Sequence, residues 1–115
     1  MEARVAERSQ TTPDILVERV EGDEMYPEIQ SGDLVQISPC DRIRGGGGTY
    51  LVEIDGVPML QQVQRKPGRR LRLHSRHSAF SDVVIRKTDD GWVTEEGHET
   101  EFQVIGRYVG AVQSP

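Results

Sequence analysis

Only a few side chains in this sequence could carry covalent or metal chemistry: one cysteine (Cys40), three histidines (His74, His77, His98), two lysines (Lys66, Lys87) and scattered serines. A lone thiol forms no internal disulfide, and a zinc site needs further ligands around it. His74 and His77 stand three apart, so on a strand their rings point to opposite faces. No metal and no cofactor are therefore expected. The glycine run 45–48 could cradle a phosphate, but that use needs a helix N-terminus directly after it and a nearby lysine. Strand-forming residues follow at Thr49, so the run reads as a flexible loop.

The remaining candidates are charged. The chain of 115 residues has 14 Lys/Arg against 19 Asp/Glu, a net charge of −5. Residues 65–87 hold eight bases (Arg65, Lys66, Arg69, Arg70, Arg72, Arg76, Arg86, Lys87) against Asp82 alone, whereas 89–101 hold six acids and neither lysine nor arginine. A basic band on an acidic domain has two readings: a solvated hairpin face, or a docking surface. The acidic total argues against the domain itself gripping DNA. No apolar run approaches the ~20 residues of a membrane span, and the N-terminal residues lack a signal-peptide core. The expected compartment is a reducing cytoplasm.

Positioning these side chains falls to short β-runs. Residues 1–13 are polar and read as a flexible tail or linker; residues 14–115 read as one domain. Strands are predicted over 15–20, 34–37, 49–54, 57–64, 71–75, 82–87 and 102–112. Between them stand turn clusters, among them Asp55-Gly56, Lys66-Pro67-Gly68 and Asp89-Asp90-Gly91. Asp-Gly between alternating apolar residues signals a type I′ hairpin. No ten-residue stretch carries a helical stripe. About seven short strands with almost no helix predict an all-β sandwich or partly open barrel. The expected core is Ile15, Val17, Leu34, Val35, Ile37, Leu51, Ile54, Val63, Leu71, Leu73, Val84, Val104 and Ile105, with Met25 buried beside a cleft.

The most informative stretch is Gly22-Asp23-Glu24-Met25-Tyr26-Pro27-Glu28-Ile29-Gln30-Ser31-Gly32-Asp33-Leu34-Val35. It resembles the Gly-Asp-Ser-Met-x-Pro-x-Ile-x-x-Gly-Asp-Leu-Val box of LexA-like, S24-type self-cleaving domains, the C-terminal halves of LexA and of phage repressors. The likeness continues through Arg42-Ile43-Arg44, Gly48-Thr49-Tyr50-Leu51-Val52, Asp55-Gly56, Val63-Gln64-Arg65, Pro67-Gly68, Leu71-Arg72-Leu73 with Ser75, and Phe102-Gln103-Val104-Ile105-Gly106-Arg107. It spans about residues 15–110 in matching order.

The resemblance implies a serine–lysine dyad, in which a neutral buried lysine takes the proton of an attacking serine hydroxyl. The serine's place holds Glu24. The lysine's place, five residues after Gly56, holds Gln61. A carboxylate is a poor acyl-transfer nucleophile here, and an amide has no basicity near neutral pH. Ser31 and Ser38 have no lysine at a matching position. The family's Ala-Gly or Cys-Gly cleavage dipeptide does not occur in the 23 residues before Glu24. Glu24 and Gln61 are thus degenerate catalytic positions: Glu24 either pairs in the old cleft with Gln61 or with an arginine from a partner, or turns to solvent, and Gln61 is a polar residue facing it.

Three functions follow as expectations. The first is a catalytically inactive domain that dimerises within a transcription regulator and reaches DNA only through a helix-turn-helix domain absent from these residues. The second is a stand-alone interaction module, a repressor antagonist or scaffold. The third is an active peptidase using relocated residues. The resemblance implies that the last strand packs about a two-fold axis. Alternation along it puts Phe102, Val104, Gly106, Tyr108 and Gly110 on one face and Val109 on the other; Phe102, Val104, Tyr108 and Val109 are the expected dimer contacts. Alternatively, that strand is central in its own monomer.

Overall fold

The computed structural model describes residues 15–22, 25, 27–77, 79 and 81–112. They form nine strands: β1 (Leu16–Arg19), β2 (Leu34–Pro39), β3 (Gly47–Ile54), β4 (Val57–Lys66), β5 (Arg70–His74), β6 (Val83–Thr88), β7 (Gly91–Thr94), β8 (Glu99–Thr100) and β9 (Phe102–Ala111). All pair antiparallel in one open sheet of order β1-β2-β9-β3-β4-β5-β6-β7-β8. Among the described residues there is no helix. The all-β expectation holds, with the strand count corrected from about seven to nine. β7 and β8 escape sequence reading because they are four and two residues long, too short for a period-2 pattern to emerge.

Turn chemistry sets the hairpins. Asp55 and Gly56 adopt φ of 50° and 84°, the positive pair that a type I′ turn demands, and they join β3 to β4 with Ile54 opposite Val57. The glycine run proves to be half strand: Gly47 and Gly48 open β3 opposite Gln64 and Val63. A Cβ at Gly47 would lie 2.0 Å from the Val63 carbonyl oxygen, so glycine is what allows the two backbones to meet there.

Apolar clusters cover both faces of the sheet. On one face lie Tyr50, Val52, Val63, Leu71, Leu73, Ile85 and Val104 with Ile43. Leu16, Val35, Ile37, Leu51 and Leu60 pack with Met25 and Ile29 on the other. β3 sits between the clusters, which is why Tyr50, Leu51 and Val52 are buried consecutively rather than alternately. Of the expected core, Val35, Ile37, Leu51, Val63, Leu71, Leu73 and Val104 are buried, as is Met25. Ile15, Leu34, Ile54, Val84 and Ile105 are half-buried. Val17 is 40% exposed, a correction: on the edge strand β1 it is Leu16 that faces inward, so alternation turns Val17 out.

Candidate functional site

Gln61 lies in the middle of β4, opposite Tyr50 of β3. On its other side the β4–β5 register pairs Gln62 with His74 and Val63 with Leu73, and one further step brings Gln61 to Ser75, just past the end of β5. Both side chains are sealed, Gln61 5% and Ser75 6% exposed. The Gln61 Nε2 donates to Ser75 Oγ at 3.2 Å and more weakly to Met59 Sδ at 3.9 Å. The Ser75 hydroxyl lies 3.5 Å from Gln61 Oε1 and can return a long hydrogen bond. Buried polar groups persist where they are satisfied, and this pair largely satisfies itself. It contains no group that ionises near neutral pH, so it offers neither a base nor an activated nucleophile.

In the sequence Ser75 stands out only as part of the resemblance and not as the partner of Gln61. The signal was present: Leu71, Leu73 and Ser75 share one face of β5 and its extension, and the Pro67-Gly68 hairpin aligns residue 75 with residue 61.

The box preceding β2 is anchored from both ends. Met25, 2% exposed, packs with Ile29 and Leu60, and the Ile29 N–H donates to the Met25 carbonyl at 3.0 Å. The Asp33 carboxylate accepts from the Gln30 N–H at 2.9 Å. Glu28 pairs with Arg76 at 3.2 Å, tying the box to the segment that carries Ser75. Glu24 lies outside the described residues, as does the tail 1–13.

The C-terminal strand is central: β9 pairs with β2 on one edge and β3 on the other. β2 covers one edge along Gly106–Ala111 and β3 the other along Phe102–Arg107. Its faces also differ from simple alternation. The register shifts between Leu51/Val52 and between Gln36/Ile37, leaving Ile105 and Val109 as extra residues of two bulges. Phe102 and Val104 therefore pack on the Tyr50 cluster, whereas Tyr108 packs on the opposite cluster with Ile37. The expectation that Phe102, Val104 and Tyr108 share a face is corrected by the intervening bulge. Among the four expected contacts Val104 is buried in the monomer, and Val109 is the open one at 47%.

The structure divides the basic band. Arg72 and His74, on one face of β5, both bind Asp82, with Arg72 Nε at 2.6 Å and His74 Nδ1 at 2.6 Å from its carboxylate. Hydrogen bonds from His74 first and Arg72 second hold the Asp82 carboxyl below the ordinary carboxylate range, against an opposing desolvation effect. Around the β4–β5 turn, Arg65, Lys66, Arg69, Arg70 and Lys87 line a groove of about 770 Å³ with Arg42 from the loop after β2. Its floor includes Trp92, Phe102 and Val104. Beyond the Trp92–Phe102 wall lies a second cleft, of about 920 Å³, with Glu53, Asp55, Asp90, Glu99 and Glu101 along it. Among the described residues no three His, Cys, Asp or Glu side chains gather to hold a metal ion, and no helix is long and apolar enough to cross a membrane.

No curated protein matches this chain. The family model described as Peptidase S24-like matches residues 2–109, a span that takes in the Met25 box, the Asp55-Gly56 hairpin, the Gln61–Ser75 pair and nearly all of β9. With that match over most of its length, the chain belongs to the S24-like peptidase family.

Proposed function

We propose that this chain is a catalytically silent member of its family that works by association, as the dimerising and regulatory domain of a transcription regulator. DNA contact is delegated to a helix-turn-helix domain outside residues 1–115. The observation that carries this reading is Gln61: the position that resembles the family's base is a buried amide bonded to Ser75. Both lysines of the chain stand in the basic groove instead, away from that pair. A serine–lysine mechanism needs its nucleophile and base as a unit, and neither residue type stands in its expected place.

The test is intact-mass measurement after prolonged incubation at alkaline pH, with and without a RecA filament. The full mass is expected to persist, and spontaneous truncation would refute the reading. Glu24→Ser and Gln61→Lys together are the changes required to restore attack on a cleavage-site peptide supplied in trans; each alone is expected to leave the chain silent. Association is read by sedimentation at tens of micromolar. A homodimer is expected, and since β9 lies between β2 and β3 it would form through a sheet face that includes exposed Val109. A clean monomer would defeat the dimerisation half of the proposal.

A further inference from the structure

The groove at the β4–β5 turn is separate from the Gln61–Ser75 pair and has unmet binding capacity. Six cations line it, with Asp41 the one acid among its lining residues. Arg42 reaches Asp41 only at 3.6 Å, with both side chains largely in solvent. Among the described residues Arg65, Lys66, Arg69, Arg70 and Lys87 form no ion pair. Two of the guanidiniums are nevertheless held in place: Arg65 donates to the Ile43 carbonyl, and Arg70 Nε donates to the Pro67 carbonyl at 2.8 Å. Arg69 sits at φ 60°, with its carbonyl fixed by the Lys87 N–H at 2.8 Å. An arginine anchored by one edge keeps its other donors for a planar, two-oxygen acceptor. The solvated-face reading predicts cations splayed outward from a convex turn; here they ring a concavity with an apolar floor.

We infer that this groove is a docking site for an acidic polypeptide segment of a partner protein, whose carboxylates meet the arginine and lysine rim while an apolar side chain settles on the floor beside Phe102 and Val104. Charge complementarity selects the occupant. A nucleic acid fits less well for two reasons. An extended polyanion leaving the groove meets the acidic cleft across the Trp92–Phe102 wall. The Trp92 ring is already engaged, with Lys87 Nζ 5.8 Å from its centroid and Phe102 against it edge to face at 5.2 Å, where a base would need an open platform to stack.

The probe is a fluorescein-labelled peptide of aspartates and glutamates around a single leucine, followed by anisotropy with the whole chain. Binding that weakens as salt rises is expected. Replacing the leucine with serine should weaken it several-fold, and converting the acids to amides should abolish it. The double variant Lys66→Glu/Arg69→Glu should lose about tenfold or more in affinity with an unchanged circular dichroism spectrum. Arg107→Glu, a single charge reversal on exposed β9, should lose less than about twofold. Three results would overturn the proposal: no binding of the peptide, equal losses in both variants, or tighter binding of oligodeoxythymidine that the double variant also abolishes. Sedimentation supplies a fourth: a self-association that the double variant dissolves would assign the groove to the acidic cleft of a second copy instead.

Discussion

Gln61 with Ser75 and the groove at the β4–β5 turn lie on the same two strands and have opposite physical characters. The first is sealed and uncharged, with the Gln61 amide and the Ser75 hydroxyl bonded to each other. The second is open and cationic, with five bases that form no ion pair among the described residues. A catalytic pair has to keep a reactive group poised, and a polar pair that closes on itself cannot. Binding sites keep donors unsatisfied until a ligand arrives. By that criterion the hairpin end, and not the Gln61–Ser75 pair, presents free donors to a ligand.

The largest test of this contrast is Gln61→Lys. The Gln61 side chain bonds to Ser75 and Met59 among the described residues, so an ammonium in its place is expected to cost what an unpaired buried charge costs, about 3–5 kcal/mol in urea unfolding at neutral pH. Burial lowers the folded-state pKa of such a lysine. The loss should therefore shrink as pH climbs toward the unfolded value of about 10.4. A loss below about 1 kcal/mol would show that water reaches the site, and the contrast would fail.

A smaller effect comes from Gln61→Leu, which strands the Ser75 hydroxyl and should cost about 1–3 kcal/mol. Adding Ser75→Ala should recover most of it, because removing both partners leaves no orphan. Additive losses would show that the two residues do not depend on each other.

Between sealed pair and open groove stands Asp82, whose carboxyl is held low by His74 and Arg72. A carboxyl depressed in the folded state stabilises above its unfolded pKa, and that contribution is lost as pH falls through the folded value. The acid limb of stability below about pH 4 should accordingly be shallower in Asp82→Asn than in the parent chain. Identical acid limbs would show that these contacts do not persist in solution.

The smallest expected effect is Lys66→Glu, within about 0.5 kcal/mol of the parent in stability, since this lysine carries no ion pair among the described residues. A larger loss would mean that the groove's cations support the fold and are not held for a ligand.

Local sequence made much of the fold legible. Asp55-Gly56 and Pro67-Gly68 marked their hairpins because turn conformations depend on a few consecutive residues. The absence of any helical stripe left strands as the remaining choice, and the box ending at Val35 pointed to the family. The candidate site was half legible. Gln61 could be placed by counting from a turn, while Ser75 needed the hairpin register to be carried one pair beyond the strand.

What tertiary structure alone decided was which residues meet across long separations. The bulge at Ile105 moved Tyr108 to the face opposite Phe102 and Val104, since a bulge depends on the partner strand as much as on its own residues. The same holds for the basic band. Its eight charges fall within residues 65–87, yet Asp82 claims Arg72 while Arg42, from the loop after β2, joins the groove. Composition determined that charge of each sign would gather somewhere on this acidic domain. The packing of distant loops determined which charges were neutralised and which were left facing a cavity, because side-chain pairing is settled by distances that no local pattern encodes.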